Sequence, residues 1–169
     1  MKKISLFLLG ALSVFASFAQ NKSKPNILFI AVDDLKPILG CYGNTLVKTP
    51  NIDRLAGNGL RFTHFYNTSR CSPTRASLLT GLYPHQANMG HLSTENYAED
   101  GYTDDLSKKA VTMAEVFQKA GYKTYMTGKW HLAKDMKPNG DKSNWPLQRG
   151  FQRYFGTLNG SGSYFDPGT

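Results

Sequence analysis

The sequence predicts an α/β fold, built as a mixed, largely parallel sheet flanked by helices. Residues 26–32 form a continuous apolar run, the pattern of a strand buried on both faces. Segments carrying helix caps alternate with short apolar segments along the chain, which is the order of an α/β architecture. Hydrophobic residues make up 40% of the chain and aromatics 12%, so residues 20–169 have enough apolar mass for one packed core.

The elements follow in order. Met1, Lys2 and Lys3 precede a mostly apolar stretch over residues 4–18, and Ser17-Phe18-Ala19 is a small-x-small cleavage site. Residues 1–19 therefore read as an export signal, short and lightly flanked for a membrane span and followed by no lipid-anchoring cysteine; the alternative is a retained membrane anchor. The mature chain then starts near Gln20, in the periplasm of a bacterium or outside the cell, with no stable membrane association. The strand over residues 26–32 ends in Asp33-Asp34, at the carboxyl end where open α/β sheets bind ligands. Thr49 and Pro50 open a short helix that Gly57-Asn58-Gly59 stops. Residues 60–66 alternate loosely as a second strand. Cys71 follows with its helix, then a polar loop region over residues 83–109. Thr112 and Glu115 form a capping box for an amphipathic helix through Ala120, closed by Gly121. Residues 122–127 are the next strand, with Gly128-Lys129-Trp130-His131 at its end. Residues 135–150 are rich in Lys, Pro, Gly and Asn and read as an irregular surface excursion. There is no internal repeat.

The formal charge is +8, and without Lys2 and Lys3 of the signal it is +6. A basic balance suits an anionic substrate. No dense Lys/Arg run or interleaving of bases with aromatics marks a nucleic-acid surface, so nucleic acid is excluded as the partner. A Cys41–Cys71 disulfide is set aside, because Cys41 sits in an ordinary Gly-Cys-Tyr-Gly turn and the surroundings of Cys71 argue for chemistry.

Those surroundings are Cys71-Ser72-Pro73-Thr74-Arg75, then four residues, then Thr80-Gly81. Pro73 suits the first position of a helix, which puts Cys71 and Ser72 at the cap. Free backbone N–H groups and the helix dipole there favour a thiolate or a bound oxyanion. Arg75, one turn on, can reach back and grip the same oxyanion. Taken alone, a cysteine near a helix start also fits a buried structural thiol. Asp33 and Asp34 repel one another unless a cation compensates, and a hard ion with oxygen ligands, Ca²⁺ or Mg²⁺, does so; an isolated pair also fits a turn cap. At an extended strand end, Lys129 and His131 point the same way, an ammonium and an imidazole suited to an oxyanion and a proton transfer. Alone they would equally suit an exposed turn. His64 reads as structural, while His85 and His91 flank the loop after Thr80-Gly81 and either line a pocket or stand as surface histidines.

The pattern C-x-P-x-R, then x4-T-G, resembles the signature of the type I sulfatases. The opening from Pro25 to Tyr42, with Asp33-Asp34 and Gly40-Cys41-Tyr42, resembles the start of those enzymes, and Gly128-Lys129-Trp130-His131 their G-K-W-H segment. The resemblance runs from Pro25 to about Gly162 with the motifs in the family's order. It implies an alkaline phosphatase-like fold and a sulfuric ester hydrolase acting on aryl or carbohydrate sulfates. It further implies that Cys71 is converted to formylglycine by a formylglycine-generating or anaerobic sulfatase-maturing enzyme. Asp33 and Asp34 would bind Ca²⁺ (or Mg²⁺) together with the residue made from Cys71. Arg75 would orient the aldehyde hydrate, Lys129 hold the sulfate and His131 move a proton. One hydroxyl of the geminal diol attacks sulfur and expels the alcohol; the other then loses its proton, the C–O bond to sulfate breaks and the aldehyde returns. Thr74 departs from the Ser or Ala common at its position and leaves C-x-P-x-R intact. Family members are several hundred residues long, so residues 20–169 are expected to be the amino-terminal part of the catalytic domain, incomplete in fold, with exposed apolar sheet edges and no activity alone. The alternatives are a phosphonate monoester or phosphodiester hydrolase of the same superfamily, and an inactive secreted glycan-binding relative.

Overall fold

Local sequence rules account for most of the helices. The structure is a computed structural model that describes residues 24–163 and 165–166; the export signal expected over residues 1–19 lies outside them. Among the described residues are three α-helices, α1 (Pro50–Gly57), α2 (Cys71–Thr80) and α3 (Met113–Lys119), and two short strands, β1 (Tyr125–Thr127) and β2 (Arg153–Phe155). Two 3-10 turns, Gly40–Tyr42 and Pro146–Arg149, complete them. The chain divides into two units, residues 1–36 and 37–169, and all of these elements belong to the second.

The expected capping box opens α3: Thr112 Oγ1 accepts from Glu115 N, and the Glu115 carboxylate accepts from Thr112 N. Gly121, left-handed at φ 83°, closes it. Pro50 begins α1, but Thr49 caps nothing with its side chain. Its hydroxyl instead accepts from Gly40 N (2.8 Å) and donates to Asp53 Oδ1 (2.9 Å), which also accepts from Cys41 N (2.7 Å). That network ties the first 3-10 turn to α1. Helix α2 starts earlier than Pro73 suggests: Arg70 is its N-cap, so Cys71 and Ser72 are helical and Pro73 is the third residue. The missing N–H still falls among the amides that need no helical partner. Gly81, left-handed at φ 71°, ends the helix and donates to Ser77 O.

Strands β1 and β2 pair in parallel, Tyr125 with Arg153 and Thr127 with Phe155. The ladder continues past both strands. Gln152 N donates to Thr124 O (2.8 Å), Gly128 N to Phe155 O (2.9 Å), Trp130 N to Thr157 O (2.9 Å) and His131 N to Leu158 O (3.0 Å). At Gly156 the two chains approach so closely that a Cβ would overlap the Gly128 carbonyl, so only glycine fits.

The core gathers Trp130, Leu132 and Ala133 from beyond β1, Leu158 from beyond β2 and Ala76 from α2. Ala87, Met89 and Leu106 join them from the loop region, and Ala110 from just after it, so that stretch is irregular in backbone yet part of the core. Its buried amides find partners, Leu106 N on Leu132 O and Ser107 N on Ala87 O. Trp130 is fully buried and donates Nε1–H to Asn144 O (2.8 Å), while Asn144 Nδ2 donates to Leu106 O (2.7 Å). Arg149, 3% exposed, donates to Asn144 Oδ1 (2.6 Å), Ser107 O (3.3 Å) and Ala110 O, and faces Glu115 at 3.5 Å.

Three strand expectations are corrected. Residues 26–32 form no strand; they are exposed, Leu28 by 84%. Residues 60–66 form none either and are exposed. Of residues 122–127 only the last three are strand. A strand exists only as one rung of a ladder, and among the described residues no partner pairs with the first two segments. Among the described residues no helix is long and apolar enough to cross a membrane.

Candidate active site

The first turn of α2 is held from three sides. Before it, Ser69 takes a left-handed backbone (φ 60°) and donates its N–H to Asn67 Oδ1 (2.7 Å), a side-chain turn that reverses the chain just ahead of the helix. Thr68 and Thr74 share a hydroxyl hydrogen bond at 2.9 Å. Ser72 is fully buried and its Oγ accepts from Ser93 N (3.1 Å). Arg70 turns away to His91 Nε2 (2.8 Å) and Glu95 (3.8 Å). Cys71 lies half-buried between Arg70 and Ser72, and both it and Cys41 are free thiols.

Arg75 joins this helix to the segment beyond β1. Its Nη1 donates to the Lys129 carbonyl. One residue earlier, the Gly128 carbonyl accepts from the Tyr154 hydroxyl (3.1 Å). Burial pushes the Tyr154 phenol well above its ordinary range, against the pull of the Arg75 cation, so it stays a hydroxyl donor at any physiological pH. Two side chains thus hold consecutive carbonyls immediately before Trp130 and His131. His131 is 5% exposed and left-handed at φ 58°, so the strand alternation assumed for residues 129 and 131 stops at the histidine. Its N–H is fixed on Leu158 O, and Gly160 lies on its ring: a Cβ at Gly160 would stand 2.6 Å from Cε1 and 2.8 Å from Nε2. Lys129 is half-buried.

Asp33 and Asp34 belong to the first unit. They form a two-residue turn, both exposed, with Asp34 left-handed at φ 55°. Adjacent exposed carboxylates are hard oxygen donors of the kind Ca²⁺ or Mg²⁺ takes, so the donor set fits such an ion.

The remaining histidines separate. His64 is exposed outside any strand and meets Thr63 Oγ1 (3.1 Å). His85 pairs with the Tyr102 hydroxyl (2.8 Å). His91 is the one that reaches the residue next to Cys71. Sequence reasoning missed Arg70, Ser93, Glu95, Tyr154 and Gly160. Except for the i,i+4 contact of Glu95 with His91, each acts through a contact distant in the chain that no local spacing announces.

Comparison with known proteins gives the family. The sulfatase family model matches residues 25–168. Human arylsulfatase D is 38% identical over 159 residues, covering 90% of this chain and 26% of the relative. The N-acetylgalactosamine-6-O-sulfatase of Bacteroides thetaiotaomicron is 48% identical over 116 residues, covering 67% and 22%. The crystal structure of Ps i-CgsB superposes with a TM-score of 0.71 at 33% identity, over 84% of this chain and 30% of that one. The chain spans about a quarter of the length of the curated relatives it matches. That match takes in Cys71, Arg75 and the segment from Gly128 to His131, on a partial parallel sheet flanked by helices, and on it the chain belongs to the sulfatase family, with its alkaline phosphatase-like α/β fold.

Proposed function

We propose that the protein carrying this chain hydrolyses sulfate esters, with a nucleophile made from Cys71. The observation that carries the reading is the Arg75 bond to the Lys129 carbonyl, which links the Cys71 helix to the Gly128–His131 segment. Formylglycine in place of the Cys71 thiol would supply a hydrated aldehyde as the attacking group, and Ca²⁺ or Mg²⁺ on Asp33 and Asp34 would neutralise ester charge. The chain's own residues do the rest. Arg75 orients the side chain at position 71 from one helical turn away, Lys129 binds a sulfate oxygen, and His131 exchanges a proton at its imidazole.

The substrate we assign is a carbohydrate sulfate ester, on the 48% identity to the N-acetylgalactosamine-6-O-sulfatase. A maturation enzyme that oxidises Cys71 is the implied partner, and the periplasm or the exterior of a bacterium the implied location. Residues 20–169 are the amino-terminal part of the catalytic domain in this reading, and inactive alone. The test is release of inorganic sulfate from N-acetylgalactosamine 6-sulfate and from an aryl sulfate by the full-length protein and its Cys71→Ala variant. Turnover that Cys71→Ala abolishes supports the reading. Turnover that survives the substitution refutes it.

A further inference from the structure

We infer that Arg70, His91 and Glu95 form a latch that fixes the orientation of residue 71, acting as positioning residues outside the reacting set. The inference rests on the reading of Cys71 as the reactive position.

The donors and acceptors of the three side chains fit together. A guanidinium only donates, so the 2.8 Å contact of Arg70 Nη1 with His91 Nε2 makes that nitrogen an acceptor. The donor of the ring is then Nδ1, which faces the Glu95 carboxylate. The same carboxyl group lies 3.8 Å from Arg70. Tyr97 packs edge-on to the imidazole at 4.9 Å and holds its plane. Glu95 N closes a turn on Leu92 O (3.0 Å), so one short turn carries both acceptors of Arg70.

That turn holds α2 at two points. Arg70, the N-cap, is gripped by His91 and Glu95; Ser72 is gripped by Ser93 N, inside the protein. Cys71 lies between the two, so the torsions on both sides of it are set by one loop. The Arg70 and Glu95 side chains are 45% and 35% exposed, and an exposed ion pair contributes little to overall stability. The pair serves to align residue 71, and its removal leaves the fold standing while Arg70 goes free.

The test uses His91→Ala and His91→Gln in the full-length protein. A glutamine amide accepts from Arg70 and donates to Glu95, so it restores the polar contacts without the ring. In protein made without maturation, iodoacetamide alkylation of Cys71 is followed by mass spectrometry, with Cys41 as internal control. His91→Ala is expected to speed alkylation of Cys71 about threefold or more, as local opening of the turn predicts, with Cys41 unchanged. In matured protein it is expected to lower kcat by about tenfold with KM little moved, the signature of a misaimed group. His91→Gln returns both readings most of the way. Unchanged alkylation and kcat in His91→Ala overturn the latch, and so does a His91→Gln variant that behaves like His91→Ala. If the matured protein turns over no sulfate ester, the functional reading fails and alkylation alone decides the latch.

Discussion

Replacing Gly160 with alanine tests the support of His131 by adding one methyl group. Its Cβ would lie 2.6 Å from His131 Cε1 and 2.8 Å from Nε2. Ordinary carbon contacts begin near 3.5 Å, so the ring must retreat by roughly 1 Å. Little lets it do so: the backbone at His131 is fixed on Leu158 O at φ 58°, and its neighbours Trp130 and Leu132 are fully buried. Overpacking of this kind costs about 1–3 kcal/mol, and a displacement near 1 Å of a reacting group costs on the order of 10²-fold in rate. The expected outcome is a fall in sulfate release of that order with a Tm lowered by several degrees. Gly57→Ala is the control, since its Cβ would meet nothing within 4 Å; it should leave turnover unchanged and raise stability by about 0.5–1 kcal/mol. A Gly160→Ala protein with wild-type turnover would refute the placement of His131 in the chemistry.

Three further outcomes follow from the same structure. Arg149→Met strips the donor from Asn144 Oδ1 and from two carbonyls and the cation from the partly exposed Glu115 carboxylate, so urea unfolding should show a loss of about 1–3 kcal/mol. Backbone N–H groups of Asp141 and Lys137 hold the Asp135 carboxyl below its ordinary range. A depressed folded-state pKa gives stabilisation that is present above the unfolded value and lost as pH falls through the folded one. The loop should therefore open only in acid, seen as a change in Trp145 fluorescence, because Trp145 Nε1 donates to Asp135 O (2.7 Å); an Asp135→Ala variant with the same acid transition would contradict this. Asp34→Asn should weaken Ca²⁺ binding about tenfold or more in calorimetric titration, since it removes a hard charged ligand; unaltered binding would remove Asp34 from the site.

Local rules were legible and tertiary ones were not. The capping box of Thr112 and Glu115 and the Gly121 stop could be read from sequence because both ends of each interaction lie within four residues. The α2 start was misplaced by two residues, since proline is tolerated anywhere in the first turn and Arg70 caps through its backbone conformation, which no side-chain preference reveals. The apolar run at residues 26–32 has strand composition, but a strand also needs a ladder partner, and composition does not supply one. Met89 and Leu106 entered the core from a stretch that reads as polar loop, because tertiary hydrogen bonds such as Ser107 N to Ala87 O satisfy its backbone. In the site, residue types were legible at Cys71, Arg75, Lys129 and His131. Their supports were not: Arg75 and Tyr154 act on backbone carbonyls, which every residue has, and Gly160 acts by having no side chain.

The most direct test of the account is the mass of the peptide that contains Cys71, from full-length protein exported by its natural host. The digest uses a protease other than trypsin, because cleavage at Arg70 and Arg75 would leave too small a fragment. The account predicts a mass matching formylglycine at position 71. A plain thiol throughout, from a host with active maturation, would contradict it.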